Sequence, residues 1–291
     1  MSDVAAPPSS LPARNGVGRG LRAIWPFLLI FGAFALLALL APLVAPYNPN
    51  SQNLLARLKP PGTTARDVFY LLGTDEVGRD LLSRLIHGAR VSLVVASLSV
   101  LVSAVTGTAL GMIAGFYRGA VEIVIMRLAD IVLAIPAILL AIITIAVMGP
   151  GLQNVIIVLG FTRWPRYARV AYAQTLGVMG LTYMRASIFN GAGVKRLLLR
   201  HVLPNIAGAI IVVATLEFGL MVLFEAGLSF LGLGVQPPTP SWGSILSVGR
   251  NYLATAWWIA TFPGLCLFLL VLSINLIGDH LRDRLDPRSR R

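Results

Sequence analysis

From Ile206 to Leu228 the chain is apolar almost without interruption, carrying two acids, Glu217 and Glu225, and no base. A helix needs about 20 mostly apolar residues to cross the hydrocarbon core of a bilayer, and this run is long enough. The pattern recurs at Trp25 to Ala45, Val91 to Phe116, Ile123 to Met148, Leu152 to about Ala171, and Trp257 to Ile277. The fourth run is interrupted after Phe161 by Arg163, Arg166 and Arg169. The expected fold is therefore all-α and polytopic, with six transmembrane helices.

Composition agrees. Charged residues make up 12% of the chain and hydrophobic residues 56%, against about 25% charged in soluble domains. The net charge is +12. An excess of basic residues in cytoplasmic loops accounts for that balance without nucleic acid, since no basic patch is interleaved with aromatics. The first run is longer than a secretory h-region, and its exit, Ala41-Pro-Leu-Val-Ala-Pro46, is not a small-x-small cleavage site, so it reads as an uncleaved first helix. An N-terminus on the inside puts Arg14, Arg19, Arg22, Arg118, Arg163, Arg166, Arg169, Arg185, Lys195, Arg196, Arg200 and the arginines of the tail in the cytoplasm. The outer segment 47–90 is the exception, holding six bases and four acids. Both termini are expected to be cytoplasmic.

The organisation expected is a disordered cytoplasmic N-terminus (1–24), a first transmembrane helix (25–46), and an ordered external segment (47–90). A membrane body of five spans (91–281) follows, interrupted by a long inner loop (172–204), with a cytoplasmic tail (282–291) at the end. Order in the external segment is expected from the turns Pro60-Pro61-Gly62 and Gly73-Thr74-Asp75-x-x-Gly78. Val91 to Phe116 is rich in small residues (Ser97, Ser99, Ser103, Ala104, Gly107, Ala109, Gly111), which let helices approach closely in lipid. Pro237, Pro238 and Pro240 predict a stiff extended turn at Gln236 to Trp242.

No catalytic constellation is expected. A phosphate-binding Gly-x-x-x-x-Gly-Lys-Ser/Thr loop is absent, and the glycine-rich stretch Gly227 to Gly234 lacks the lysine. His87, His201 and His280 are far apart, and Cys266 is the single cysteine, so no metal-ligand spacing is seen. The chain is expected to bind no cofactor and no metal. Acids within the spans mark ion pathways or internal pairs. Asp130 has Arg127 three residues earlier on the same helical face as an expected partner. Glu225 is expected to reach water or a polar group near the outer end of its span. Glu217 is the deepest and is the candidate passage-lining residue, against the alternative that it packs on a polar partner.

The inner loop reads as two short helices, about Leu181 to Phe189 and Val194 to Val202, with a left-handed cap at Asn190-Gly191 between them. Leu197, Leu198 and Val202 fall on one side of the second helix, and Pro204 suits the first turn of the next span. Such a loop could lie on the lipid surface or dock a cytoplasmic partner.

Tyr183-Met-Arg-Ala-Ser-x-x-x-Gly191, followed by Arg200-His-Val-Leu-Pro-Asn205, resembles the coupling-loop motif of ATP-binding cassette (ABC) importer permeases. Three further stretches narrow the resemblance to the second permease subunit of dipeptide, oligopeptide and nickel importers. They are Leu72 to Leu93 (beginning Leu-Gly-Thr-Asp-Glu-Val-Gly-Arg-Asp), Glu225 to Gly243, and Asn275 to Arg288. With Trp164, Ala168 and Arg169 they spread the likeness over residues 25–288.

The resemblance implies a subunit of the bacterial cytoplasmic (inner) membrane that lines a passage together with a second, homologous permease. Two ABC ATPases, which hold the ATP and Mg, would dock on the inner loop, and an external substrate-binding protein would deliver short peptides. Nickel and glutathione are the alternative cargoes within the family. The resemblance assigns coupling to Arg185, Ala186, Gly191, Leu203 and Pro204, although Arg185 stands where the family has Glu and Ser187 where it has Ala. It also sets the external motif Gly73, Thr74, Asp75, Gly78, Arg79 and Asp80 at the outer mouth. The rival from another class is an ion-driven secondary transporter that titrates Glu217.

Overall fold

The computed structural model describes residues 17–65 and 67–285, with side chains from Ile24 onward. Helix α1 (Val17–Leu39) leads through a single turn, α2 (Ala41–Val44), into an outer segment built on a small antiparallel hairpin of β1 (Thr63–Ala65) and β2 (Val68–Tyr70). A long α3 (Leu81–Tyr117) is followed by α4 (Gly119–Ala134), α5 (Ala137–Met148) and α6 (Leu152–Met179). The inner loop forms α7 (Thr182–Phe189) and α8 (Val194–Arg196). A π-helical stretch, Leu197–Val202, then passes into α9 (Leu203–Phe230), and α10 (Trp242–Gly249) and α11 (Trp258–Leu285) complete the chain.

The α3–α6 crossing organises the rest, and small residues make it possible. Ser99, Ser103, Gly107, Gly111 and Gly115 lie four residues apart on one buried face of α3. A Cβ added at Gly107 would stand 2.3 Å from the Trp164 carbonyl oxygen, and one at Gly111 would stand 2.3 Å from that of Ala168. The Ser103 hydroxyl crosses the interface to the Gly160 carbonyl at 2.8 Å. Lipid gives helices no hydrophobic reason to associate, so this backbone-to-backbone approach holds the pair. Of the small residues expected to serve this purpose, Ser97 and Ala109 instead face outward.

Several boundaries move. Residues Val17 to Ile24, expected to be disordered, form the start of α1, while the rest of that expectation, 1–16, lies outside the described residues. Helix α3 begins at Leu81 rather than Val91, because Asp80 caps it by accepting from the Ser83 amide. The final turns of the expected external segment thus belong to the helix. The run Ile123 to Met148 is not one helix but two, bent by 90°. Ile135 precedes Pro136 and is held extended (φ −95°, ψ 131°), as a residue before proline prefers.

Pro204 stands in the first turn of α9, as expected, although the helical path runs on without a break from Val194 to Phe230. The π-helical stretch just before it widens the turn where proline can neither donate nor tolerate the carbonyl four residues back. Beyond the proline-rich turn lies a helix, α10, that was not anticipated; Ser241 and Ser244 cap it reciprocally.

Among the described residues, α3, Val194–Phe230 and α11 are each long and apolar enough to cross a membrane, and α4 with α5 forms a fourth, broken candidate. The apolar part of α1, Ile24–Leu39, is shorter, and α6 carries Arg163, Arg166 and Arg169 at its centre, not at a cytoplasmic end as the charge count expects. The tail is helical to Leu285, and 286–291 lie outside the described residues.

Candidate functional site

Three sites are built on this frame, one at each end of the helices and one between. At the end expected to be external, the motif Gly73 to Asp80 folds into a cap. Thr74 is fully buried; its hydroxyl donates to the Ala56 carbonyl and accepts from the Lys59 amide, while its own carbonyl accepts from the Trp258 indole at 3.1 Å. Asp75 gathers the Val77 and Arg79 amides and the Arg79 guanidinium (2.6 Å), with Arg84 at 3.4 Å. Asp80 closes the loop onto α3 through the Ser83 amide and hydroxyl. Gly73 turns the chain into the motif beside Lys59. Gly78 must be glycine, because its φ is +77° and a Cβ would fall 1.8 Å from the Asn53 carbonyl oxygen. Burial, and then the neighbouring Asp75 carboxylate, push the Glu76 carboxyl above the usual carboxylate range, against the pull of Arg79 and Arg84.

The rest of the outer face is tied down in the same way. The Trp242 indole is fully buried and donates to the Leu85 carbonyl at 2.9 Å, joining α10 to α3. Glu225 meets the Ser92 and Ser229 hydroxyls, both at 2.8 Å, so its expected polar partners are serines.

At the inner end, the two halves of the coupling-type motif meet. The Asn205 side-chain amide donates to the Tyr183 hydroxyl at 3.1 Å across 22 residues of sequence. Gly191 takes φ +76°, and the chain reverses there through amides of Gly191 and Ala192 bonded to carbonyls of α7. Beneath the reversal Met184, Leu197, Val202 and Ile206 form a small core with Met112 of α3 and with Ala171 and Val178 of α6. Arg185 and Ala186 point away from that core and are exposed, together with Leu181, Tyr183 and Ile188. Phe189 is 91% exposed. Leu203 is half-buried, and Pro204 lines an open groove of about 740 Å³ between α6, α9 and α11. The Ser187 hydroxyl is satisfied by the Tyr183 carbonyl.

Between the ends, Glu217 packs on a polar partner, the alternative to its passage-lining reading. Its side chain is 2% exposed, and Arg163 takes both carboxylate oxygens, at 2.7 and 2.9 Å. Arg163 in turn lies 5.3 Å over the Phe224 ring. Arg166 reaches the same carboxylate at 3.3 Å while remaining 53% exposed. A bare carboxylate at this depth would be costly, and an arginine on the facing helix removes that cost. Asp130 likewise pairs with Arg169 of α6 rather than with Arg127 on its own helix. The sequence reading missed Arg163 and Met184 as structural keys; their signal was a charge and an apolar residue inside elements otherwise read for the opposite property.

Comparison with known proteins follows the same outline. The sequence model of the family described as "Binding-protein-dependent transport system inner membrane component" matches residues 107–291. That of the "N-terminal TM domain of oligopeptide transport permease C" matches residues 25–61. The chain is 49% identical over 255 residues to the di/tripeptide transport system permease protein DppC of Pseudomonas aeruginosa, covering 86% of this chain and 83% of that one. It is 45% identical over 253 residues to the dipeptide transport system permease protein DppC of Escherichia coli K12, covering 87% and 84%. Among solved structures, an inward-facing form of the MetNI methionine ABC transporter superposes with a TM-score of 0.57 at 21% identity, over 69% of this chain and 96% of that one; this likeness concerns the fold alone. With its outer cap, its inner loop and these matches, the chain belongs to the family of binding-protein-dependent transport system inner membrane components, as a DppC/OppC-like permease subunit of an ABC importer and a multi-pass protein of the inner membrane.

Proposed function

We propose that this subunit pairs with a second, homologous permease to form a passage for short peptides, and that it converts the motion of two ABC ATPases into opening and closing of that passage. The ATPases would bind the ATP and Mg, and an external binding protein would deliver cargo to the outer cap. Six crossings, with α1 and α6 completing the set and both termini in the cytoplasm, are part of the proposal.

The observation that carries it is the construction of the inner loop. An exposed tip, with Phe189 bare and Arg185 beside it, is joined through buried Met184 to the inner ends of α3 and α6. A push on the tip therefore has a packed route to the helices that form the principal crossing. Peptides are favoured as cargo by the relatives named for dipeptide and tripeptide transport. The ion-driven alternative loses support, because its titrating acid, Glu217, is clasped by Arg163.

Reconstitution of the chain with the partner permease, ATPases and binding protein should give ATP-dependent uptake of a labelled dipeptide. Phe189→Ala should weaken ATPase association by about 2 kcal/mol, roughly thirtyfold. Arg185→Glu should also weaken it, if the partner offers an acid to the arginine. Unchanged binding by both variants would remove the loop from the docking surface.

A further inference from the structure

Two arginines share one carboxylate halfway along α6 and α9. Arg166 stands near the middle of α6 (Leu152–Met179) and Glu217 near the middle of α9 (Leu203–Phe230), each about 20 Å from either helix end at 1.5 Å per residue. Arg163 uses both carboxylate oxygens and is buried, whereas Arg166 touches Oε1 alone at 3.3 Å and keeps half its surface open. The trio thus carries one positive charge in excess.

Among the described residues, no second acid on the neighbouring helices is paired with Arg166, and Glu122 of α4 accepts from the Tyr172 hydroxyl. Helix α3 has no charged residue between Arg90 and Arg118, and α11 has none before Asp279. On α9 the other acid, Glu225, is taken up by Ser92 and Ser229. Asp130 is committed to Arg169. A half-exposed guanidinium at this depth is not tolerated against lipid, so it faces water or another protein. Glu217 holds it there, since without that anchor a long side chain would snorkel towards the nearer interface.

We propose that Arg166 is a docking point for the carboxylate of the translocated substrate, the free C-terminal carboxylate of a short peptide. The proposal rests on the reading of this chain as a peptide passage and adds the substrate group that the passage wall recognises. A planar guanidinium offers a carboxylate two parallel N–H donors, and Glu217 meets Arg166 through Nη1 alone, leaving half the side chain open. One carboxylate from the cargo would neutralise the trio for the duration of passage.

The test uses the reconstituted full importer with alanyl-alanine and its C-terminal amide as probes. Uptake of alanyl-alanine by the wild type tests the peptide reading alone. Direct binding of the two probes to the same complex, without the binding protein, tests the inference. The wild type should bind the free acid at least about tenfold more tightly than the amide. Arg166→Gln should abolish the difference, and Arg166→Lys should retain part of it. Arg166 is half-exposed and Arg163 keeps the helices joined, so the variants should assemble. Equal binding of acid and amide by the wild type, or no binding of either, would overturn the inference while leaving measured uptake intact. Loss of the second permease from Arg166→Gln would also overturn it, and would assign the charge to an acid across the subunit interface.

Discussion

At the residue scale, stability depends on a few buried charges and close backbone contacts. Arg163→Met leaves the Glu217 carboxylate buried with only the longer contact to Arg166. It should cost about 3–5 kcal/mol, read as a fall in thermal midpoint in detergent. The double variant Arg163→Met/Glu217→Met should recover most of the loss, because an apolar pair of similar volume avoids the desolvation cost. Gly111→Val should be worse tolerated than either, since its Cβ alone would stand 2.3 Å from the Ala168 carbonyl oxygen. A thermal midpoint within error of wild type would contradict the packing described for α3 and α6. The sequence showed these residues but not their pairings. Glu217 stood out as a deep acid, and Arg163 as an interruption in an apolar run. That the two cancel across 54 positions depends on how α6 crosses α9, which no local pattern records.

At the element scale the outer cap and the inner loop differ in legibility. The turns and order of residues 47–80 were readable because glycine, proline and aspartate punctuate them. The hairpin within was not, being three residues per strand with little alternation. Boundaries failed where one residue outweighed the apolar pattern: Asp80 began α3 early, and Pro136 broke the run from Ile123 to Met148.

The cap carries a pH signature. Glu76 has a raised pKa in the folded state, so the fold binds its proton more tightly than the unfolded chain does. Its contribution is fully present below the ordinary glutamate pKa and is lost as pH rises through the folded value. Glu76→Gln should therefore flatten the dependence of cap stability on pH in that window, measured by hydrogen exchange of residues 54–80. A steeper dependence in the variant would contradict this. In the inner loop, Met184→Ala should remove the packing between α7 and the inner ends of α3 and α6. ATPase subunits should still associate, but the ratio of peptide taken up to ATP hydrolysed should fall. Tight coupling in that variant would place the route of transmission elsewhere.

At the scale of the whole molecule, the fold is incomplete on its own. Helix α4 buries Ala129 and otherwise presents apolar residues such as Ile123, Val124, Leu128 and Ile131 at half-exposure or more, with Val147 of α5 more open still. On the proposed function, lipid and a second permease would cover such faces, and a cytoplasmic ATPase the bare tip at Phe189. The class of the molecule was legible from the length of its apolar runs, and its family from four motifs in order. The tertiary frame was not, because small residues announce that helices approach closely without saying which helices.

The central claim is that this chain is one wall of an ATP-driven passage, and purification from native membranes in mild detergent tests it most directly. A tagged chain is expected to bring down a second permease together with ATPase subunits, in an assembly that hydrolyses ATP. Recovery of the chain alone, still able to support ion-driven uptake after reconstitution, would contradict it.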